Sequence, residues 1–289
     1  VPETVDYADV GNVTPNMQAL TTVNPNSEAI GVTRVSGVTT VLTVPSGGLF
    51  PGTAALINLN GYTPDQMYGG FKAVAMIFPS SGRRGRFDRR TDEDIKKEGE
   101  KALKEANDIW DNAKSYLELK NSGAALTYFP EMEQLSKVIS GELPLLIEVN
   151  AASDIQQAIK WVEGKNIKVI FTGVAEGWRV ADEIAKAKIP VVTGPVQDLP
   201  TRSSDRYDTP YANAGLLAKA GVKVALRTDD EENVRNLPFH AAFAAAYGLG
   251  KEEALKAVTI NPAEIFGIAD QYGSVEAGKR ANLIVSTGD

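Results

Sequence analysis

From about residue 38 onward, apolar and polar positions alternate along this chain on two length scales. Short and nearly continuous apolar runs at 38–44, 71–78, 145–149, 169–172, 191–192 and 222–226 are separated by longer amphipathic stretches. Those stretches lie at 92–119, 131–139, 154–162, 175–186, 211–220 and 239–247. Runs that are apolar on both faces suit strands covered on both sides, whereas the longer stretches repeat at the helical period. Start signals agree. Pro130 leads an acidic first turn at Glu131 and Glu133, and Ser153 stands as the expected N-cap ahead of Asp154. Alternation of this kind predicts an α/β fold of parallel strands joined by right-handed crossovers. No glycine-rich phosphate fingerprint follows any strand, which argues against a dinucleotide-binding sheet.

Two stretches break the rhythm. Residues 80–90 form a basic loop directly after a strand, with arginines at 83, 84, 86, 89 and 90. It is placed either to grip a carboxylate or phosphate at the end of the fold, or to pair with acidic neighbours or another subunit. Residues 1–36 are rich in Asn, Thr and Pro with little periodicity, and are expected to wrap the domain irregularly.

Composition narrows the classes. The 289 residues are long for one domain, but α/β barrels of about 250 residues form single units. A net charge of −7, evenly spread, gives no reason to expect nucleic acid or an anionic membrane as partner. The absence of cysteine excludes disulfides and thiolate metal sites and fits either bacterial cytoplasm or periplasm. No run of 18 apolar residues exists, so no membrane span is expected. The start at Val1-Pro2-Glu3-Thr4 and the end at Thr287-Gly288-Asp289 both read as abrupt, and the chain is expected to be a fragment.

Four blocks in the C-terminal third carry a recognisable order. Ala225-Leu226-Arg227-Thr228-Asp229 ends an apolar strand; Gly250-Lys251-Glu252-Glu253-Ala254-Leu255 follows, then Thr259-Ile260-Asn261-Pro262-Ala263. Gly273-Ser274-Val275-Glu276-Ala277-Gly278-Lys279 leads into Ala281-Asn282-Leu283-Ile284-Val285. This set resembles the tail of the amidohydrolase superfamily, specifically its imidazolonepropionase-related and dihydroorotase-like members. Gly37-Val38-Thr39-Thr40-Val41 resembles the second barrel strand, and Glu176-Gly177-Trp178-Arg179 leads a helix resembling the one after the sixth. The resemblance implies a TIM-type (β/α)8 barrel whose first strand and most of whose flanking β-sandwich lie outside this chain. The implied division is a wrapping segment 1–36, a barrel 37–271, and the return to a small β-sandwich at 272–289.

The same resemblance says which positions should hold metal: a His-x-His pair on the first strand, a bridging Lys or Glu, histidines on the fifth and sixth strands, and an Asp on the eighth. Such metals lower the pKa of a bound water, and the Asp moves its proton to the leaving nitrogen. Here Glu148 occupies the fifth-strand His position with Asn150 two residues on, Thr172 or Gly173 the sixth, and Ile77 or Phe78 the bridging place. His240 is the sole histidine; it falls in a helical run, where packing is the ordinary role. Asp229 alone keeps the family identity, as proton shuttle or metal ligand, or else as a strand-terminal acid paired with Arg227.

No cofactor is therefore expected. Glu148 and Asp229 are the residues that could hold zinc or another divalent cation, and Glu148 could equally salt-bridge an arginine. Arg202, Asp205 and Arg206, after the seventh strand, are placed with Asn150 and Arg227 to bind a small anionic ligand, or to form a structural lid. Two functions follow. The first is a metal-depleted pseudoenzyme acting as a partner subunit in a homo- or hetero-oligomer with an active paralogue. The second is a hydrolase of carbon–nitrogen bonds completed by segments outside the chain.

Overall fold

The computed structural model describes residues 11–287 except 81, 83–88, 124, 231 and 286. One seven-stranded sheet runs in chain order: β1 (Thr40–Thr43), β2 (Gly52–Asn58), β3 (Tyr68–Ile77), β4 (Leu145–Val149), β5 (Val169–Gly173), β6 (Val191–Thr193) and β7 (Val224–Leu226). From β3 to β7 every pairing is parallel, as the alternating pattern predicts. The first three strands differ, because β1–β2 and β2–β3 are antiparallel. A barrel with all strands parallel is thus corrected at its start: the strand expected at 38–44 is the outer strand of an antiparallel meander. The sheet is open, with β1 and β7 as its two edges.

Short helices precede and interrupt the meander: α1 (Glu28–Val35) lies before β1, and α2 (Pro64–Met67) between β2 and β3. Crossovers then alternate with strands. α3 (Asp92–Asn121) and α4 (Pro130–Ile139) join β3 to β4, and α5 (Ala152–Val162) joins β4 to β5. α6 (Ala181–Ala187) joins β5 to β6, and α7 (Thr209–Lys219) joins β6 to β7. After β7 come α8 (Leu237–Ala244), α9 (Lys251–Ala257) and α10 (Ile260–Ile265). α3 opens on a capping box, in which Thr91 and Asp94 satisfy each other's backbone N–H groups. Pro130 opens α4 as predicted, but α5 starts earlier than expected: Ala151 is its N-cap and Ser153 lies within the first turn. Segment 1–36 contains α1 and a 3-10 turn at Ala19–Thr22.

Strand side chains alternate between two covered faces. Met76, Ile147, Val149, Phe171, Val191, Val224 and Leu226 pack against the crossover helices. Phe71, Leu146, Ile170, Val192 and Ala225 face inward onto Ala263, Phe266, Ile268 and Tyr272. α1 packs on the turn Val234–Asn236 beyond β7, which brings the two ends of the curled sheet near each other. This inner face, followed to the C-terminal ends of the parallel strands, is where the apolar lining gives way to charge.

Candidate functional site

In the register of the sheet, Glu148 on β4 stands beside Thr172 on β5, and Thr172 beside Val192 on β6. Val192 in turn pairs with Ala225 on β7, two residues before Arg227. Alternation along each strand therefore brings Glu148, Thr172 and Arg227 to one face at one end of the sheet. The Arg227 guanidinium forks onto Glu148, with Nη1 donating to Oε2 at 2.8 Å and Nη2 to Oε1 at 2.9 Å. Nη2 also lies 3.1 Å from Asp229 Oδ2, and Nε donates to the Gly194 carbonyl at 3.3 Å. Thr172 Oγ1 donates to Glu148 at 2.6 Å and Asn150 Nδ2 at 3.0 Å, so the Glu148 carboxylate is held from three strands.

Two glycines make the cluster possible. Gly173 has φ +79°, and a Cβ there would lie 2.3 Å from Asn150 Oδ1 and 2.6 Å from Glu148 Oε1. Gly194 has φ +141°, and a Cβ would lie 2.1 Å from the Arg227 carbonyl oxygen. Only glycine lets these backbones approach so closely. Asp229 itself adopts φ +61°, a left-handed conformation that Asp tolerates better than most residues.

Electrostatics separate the two carboxylates. Burial pushes Glu148 up, but the Arg227 charge and the hydrogen bonds from Arg227, Thr172 and Asn150 outweigh it, holding Glu148 below the usual carboxylate range. Asp229 goes the other way. Its burial raises it, Arg227 offsets part of that, and Glu148, Asp230 and Asp198 add to the rise.

A second cluster borders the first. Glu176, buried in the turn after β5, accepts from Arg202 Nε at 2.5 Å and Nη2 at 2.6 Å, from Thr201 Oγ1 at 2.9 Å and from the Ala152 N–H at 2.9 Å. Burial raises Glu176, and those donors bring it below the ordinary value. Asp205 pairs with Arg179, which stacks over Trp178, and Arg206 pairs with its neighbour Asp208. The segment after β6 is thus tied down by ion pairs at Arg202 and Asp205. Among the residues singled out from sequence, Glu148, Asn150, Arg227 and Asp229 come together. Arg202 and Asp205 belong to the adjoining cluster, and Arg206 stays on the exposed rim.

Other positions settle plainly. His240 is buried in α8, and its Nδ1 accepts from the Val196 N–H at 3.0 Å; burial lowers its pKa. Phe78 is buried and Ile77 is exposed. In the basic stretch, Arg90 pairs with Glu98, while residues 81 and 83–88 lie outside the described residues. Glu176 and Thr172 carry roles that residue types alone did not assign. A charged residue in an otherwise apolar and small turn directly after a strand was the available signal for Glu176.

Among the described residues, no three or more His, Cys, Asp or Glu side chains converge as a metal site. The oxygens that do converge, from Glu148, Asp229 and the Gly194 carbonyl, converge on a guanidinium. Among the described residues, these acceptors are taken up by the Arg227 guanidinium.

The sequence profile of the Amidohydrolase family matches residues 35–288, and this chain belongs to that family. Over 81 residues it is 38% identical to an imidazolonepropionase of Flavobacterium johnsoniae, and 42% identical to one of Shouchella clausii. Each match covers 27% of this chain, and it spans 20% and 18% of those proteins respectively. An amidohydrolase from Thermotoga maritima superposes with a TM-score of 0.81 at 26% identity, covering 96% of this chain and 76% of that one. No described helix is long and apolar enough to cross a membrane.

Proposed function

We propose that this chain is a non-catalytic amidohydrolase-family barrel, a pseudoenzyme serving as partner subunit to an active relative in a homo- or hetero-oligomer. One observation carries this reading: Arg227 is forked onto Glu148 and paired with Asp229 at the strand ends. Metal-dependent hydrolysis there needs a cation with open coordination to acidify water. A guanidinium has no empty orbital and stays charged at any working pH, so it neutralises the carboxylates without activating water. The similarity to the Thermotoga maritima amidohydrolase supports a TIM-type barrel. A small anionic ligand would be taken by Arg206, 79% exposed and paired with Asp208, beside Asp205 and Arg202. Asn150 and Arg227 would line its inner side.

Family membership favours a second reading, in which the protein is a metal-dependent hydrolase of amide or cyclic amide bonds. Glu148 and Asp229 would then hold zinc or another divalent cation with ligands from outside this chain, and Asp229 would move the proton. The deciding experiment is a hydrolysis screen of amides, cyclic amides and lactams with added zinc or manganese. The pseudoenzyme reading expects no turnover above the metal-only blank. Turnover that Glu148→Ala abolishes would replace it with the hydrolase.

A further inference from the structure

Around Arg227 the acceptors come from the ends of three strands. Glu148 follows the line of β4, the Gly194 carbonyl that of β6, and Asp229 that of β7. They lie in a fork that matches the planar donor pattern of a guanidinium, with two parallel N–H···O bonds to one carboxylate. The principal acceptor, Glu148, has supports for its position other than Arg227. Thr172 and Asn150 fix the Glu148 carboxylate independently, and Gly173 gives its backbone close approach to both Glu148 and Asn150. The guanidinium is largely shielded, its side chain 19% exposed, so the match is made mostly out of water.

We infer that the ends of β4, β6 and β7 form a guanidinium-binding site whose resident occupant is the chain's own Arg227. The occupant sets the site's specificity: it fills the fork and keeps other cations out. The inference rests on the reading of this centre as one without a metal, but its test is separate. Activity and metal content of the unmodified protein decide that reading, whereas the response of a variant to free guanidinium decides this one.

Arg227→Ala leaves the acceptors and removes the occupant. Thermal unfolding of this variant is followed as guanidinium chloride is raised to about 20 mM, far below denaturing concentrations, against equal sodium chloride. The expected result is a saturable rise in Tm of about 3 °C that the unmodified protein and the double variant Glu148→Gln/Arg227→Ala do not show. Arg227→Lys, which keeps the charge but not the fork, is expected to have a lower Tm than the unmodified protein. If Arg227→Ala yields no soluble protein, refolding recovery from urea in about 20 mM guanidinium is read instead, and higher recovery than in matched salt is expected. An Arg227→Ala protein indifferent to guanidinium, an equal response in the double variant, or no gain in recovery overturns the inference. Uptake of zinc or manganese by Arg227→Ala in preference to guanidinium overturns it too, because the oxygens would then be arranged for a sphere and not a fork.

Discussion

At Glu148 two effects of opposite sign compete, and the sum sets how the centre responds to acid. Burial disfavours its charge, while Arg227, Thr172 and Asn150 favour it, and the folded carboxyl ends below its ordinary value of 4.5. A depressed carboxyl contributes stability that is present above the unfolded pKa and lost as pH falls through the folded one. Glu148→Gln is therefore expected to lower unfolding stability by about 2 kcal/mol at pH 7, by leaving the guanidinium without its forked partner. In urea titrations, that deficit should shrink as pH falls below 4.5; a deficit constant down to pH 3 would deny the charge pair its role. Asp229 has the opposite sign, since a raised carboxyl contributes stability below its ordinary 3.8 that is lost as pH rises through the folded value. Asp229→Asn should thus cost less at pH 7 than Glu148→Gln, and a larger loss would contradict the assignment. The Arg227–Asp229 pair is legible in sequence because the two stand only two positions apart. The Glu148–Arg227 pair, 79 positions apart, depends on strand register that no local pattern encodes.

At the scale of elements, the strand ends and the segments that follow them carry the chemistry. The segment after β6 is tethered to the turn after β5 through Arg202–Glu176 and Asp205–Arg179. Arg202→Ala removes the forked donor of a buried carboxylate but leaves Thr201 and the Ala152 N–H in place. A loss of about 1–2 kcal/mol is expected, with faster amide exchange confined to residues 197–208. Uniform exchange changes across β5 and β6 would show instead that the pair supports the sheet. Parallel strands were readable because each is apolar on both faces. β2 was not, because Gly52, Ala54 and Ala55 are small residues of low strand propensity beside a Gly- and Pro-rich stretch. Its antiparallel pairing with β3 went unread with it. α10 contains Pro262 within six residues, which masks a helical pattern.

Across the whole molecule, the sheet from β3 onward and the family were legible because core patterning and ordered blocks extend over most of the chain. The pairing of Arg227 with Glu148 and Asp229 at the strand ends emerges from the folded geometry. On the proposed reading, Arg227 replaces the metal. Elemental analysis of the purified protein, after incubation with zinc and manganese and removal of free ion, tests this most directly when repeated on Asp229→Ala. Metal at background is expected in both proteins. About one metal per chain in the unmodified protein, lost in Asp229→Ala, would contradict it and restore a metal-dependent hydrolase.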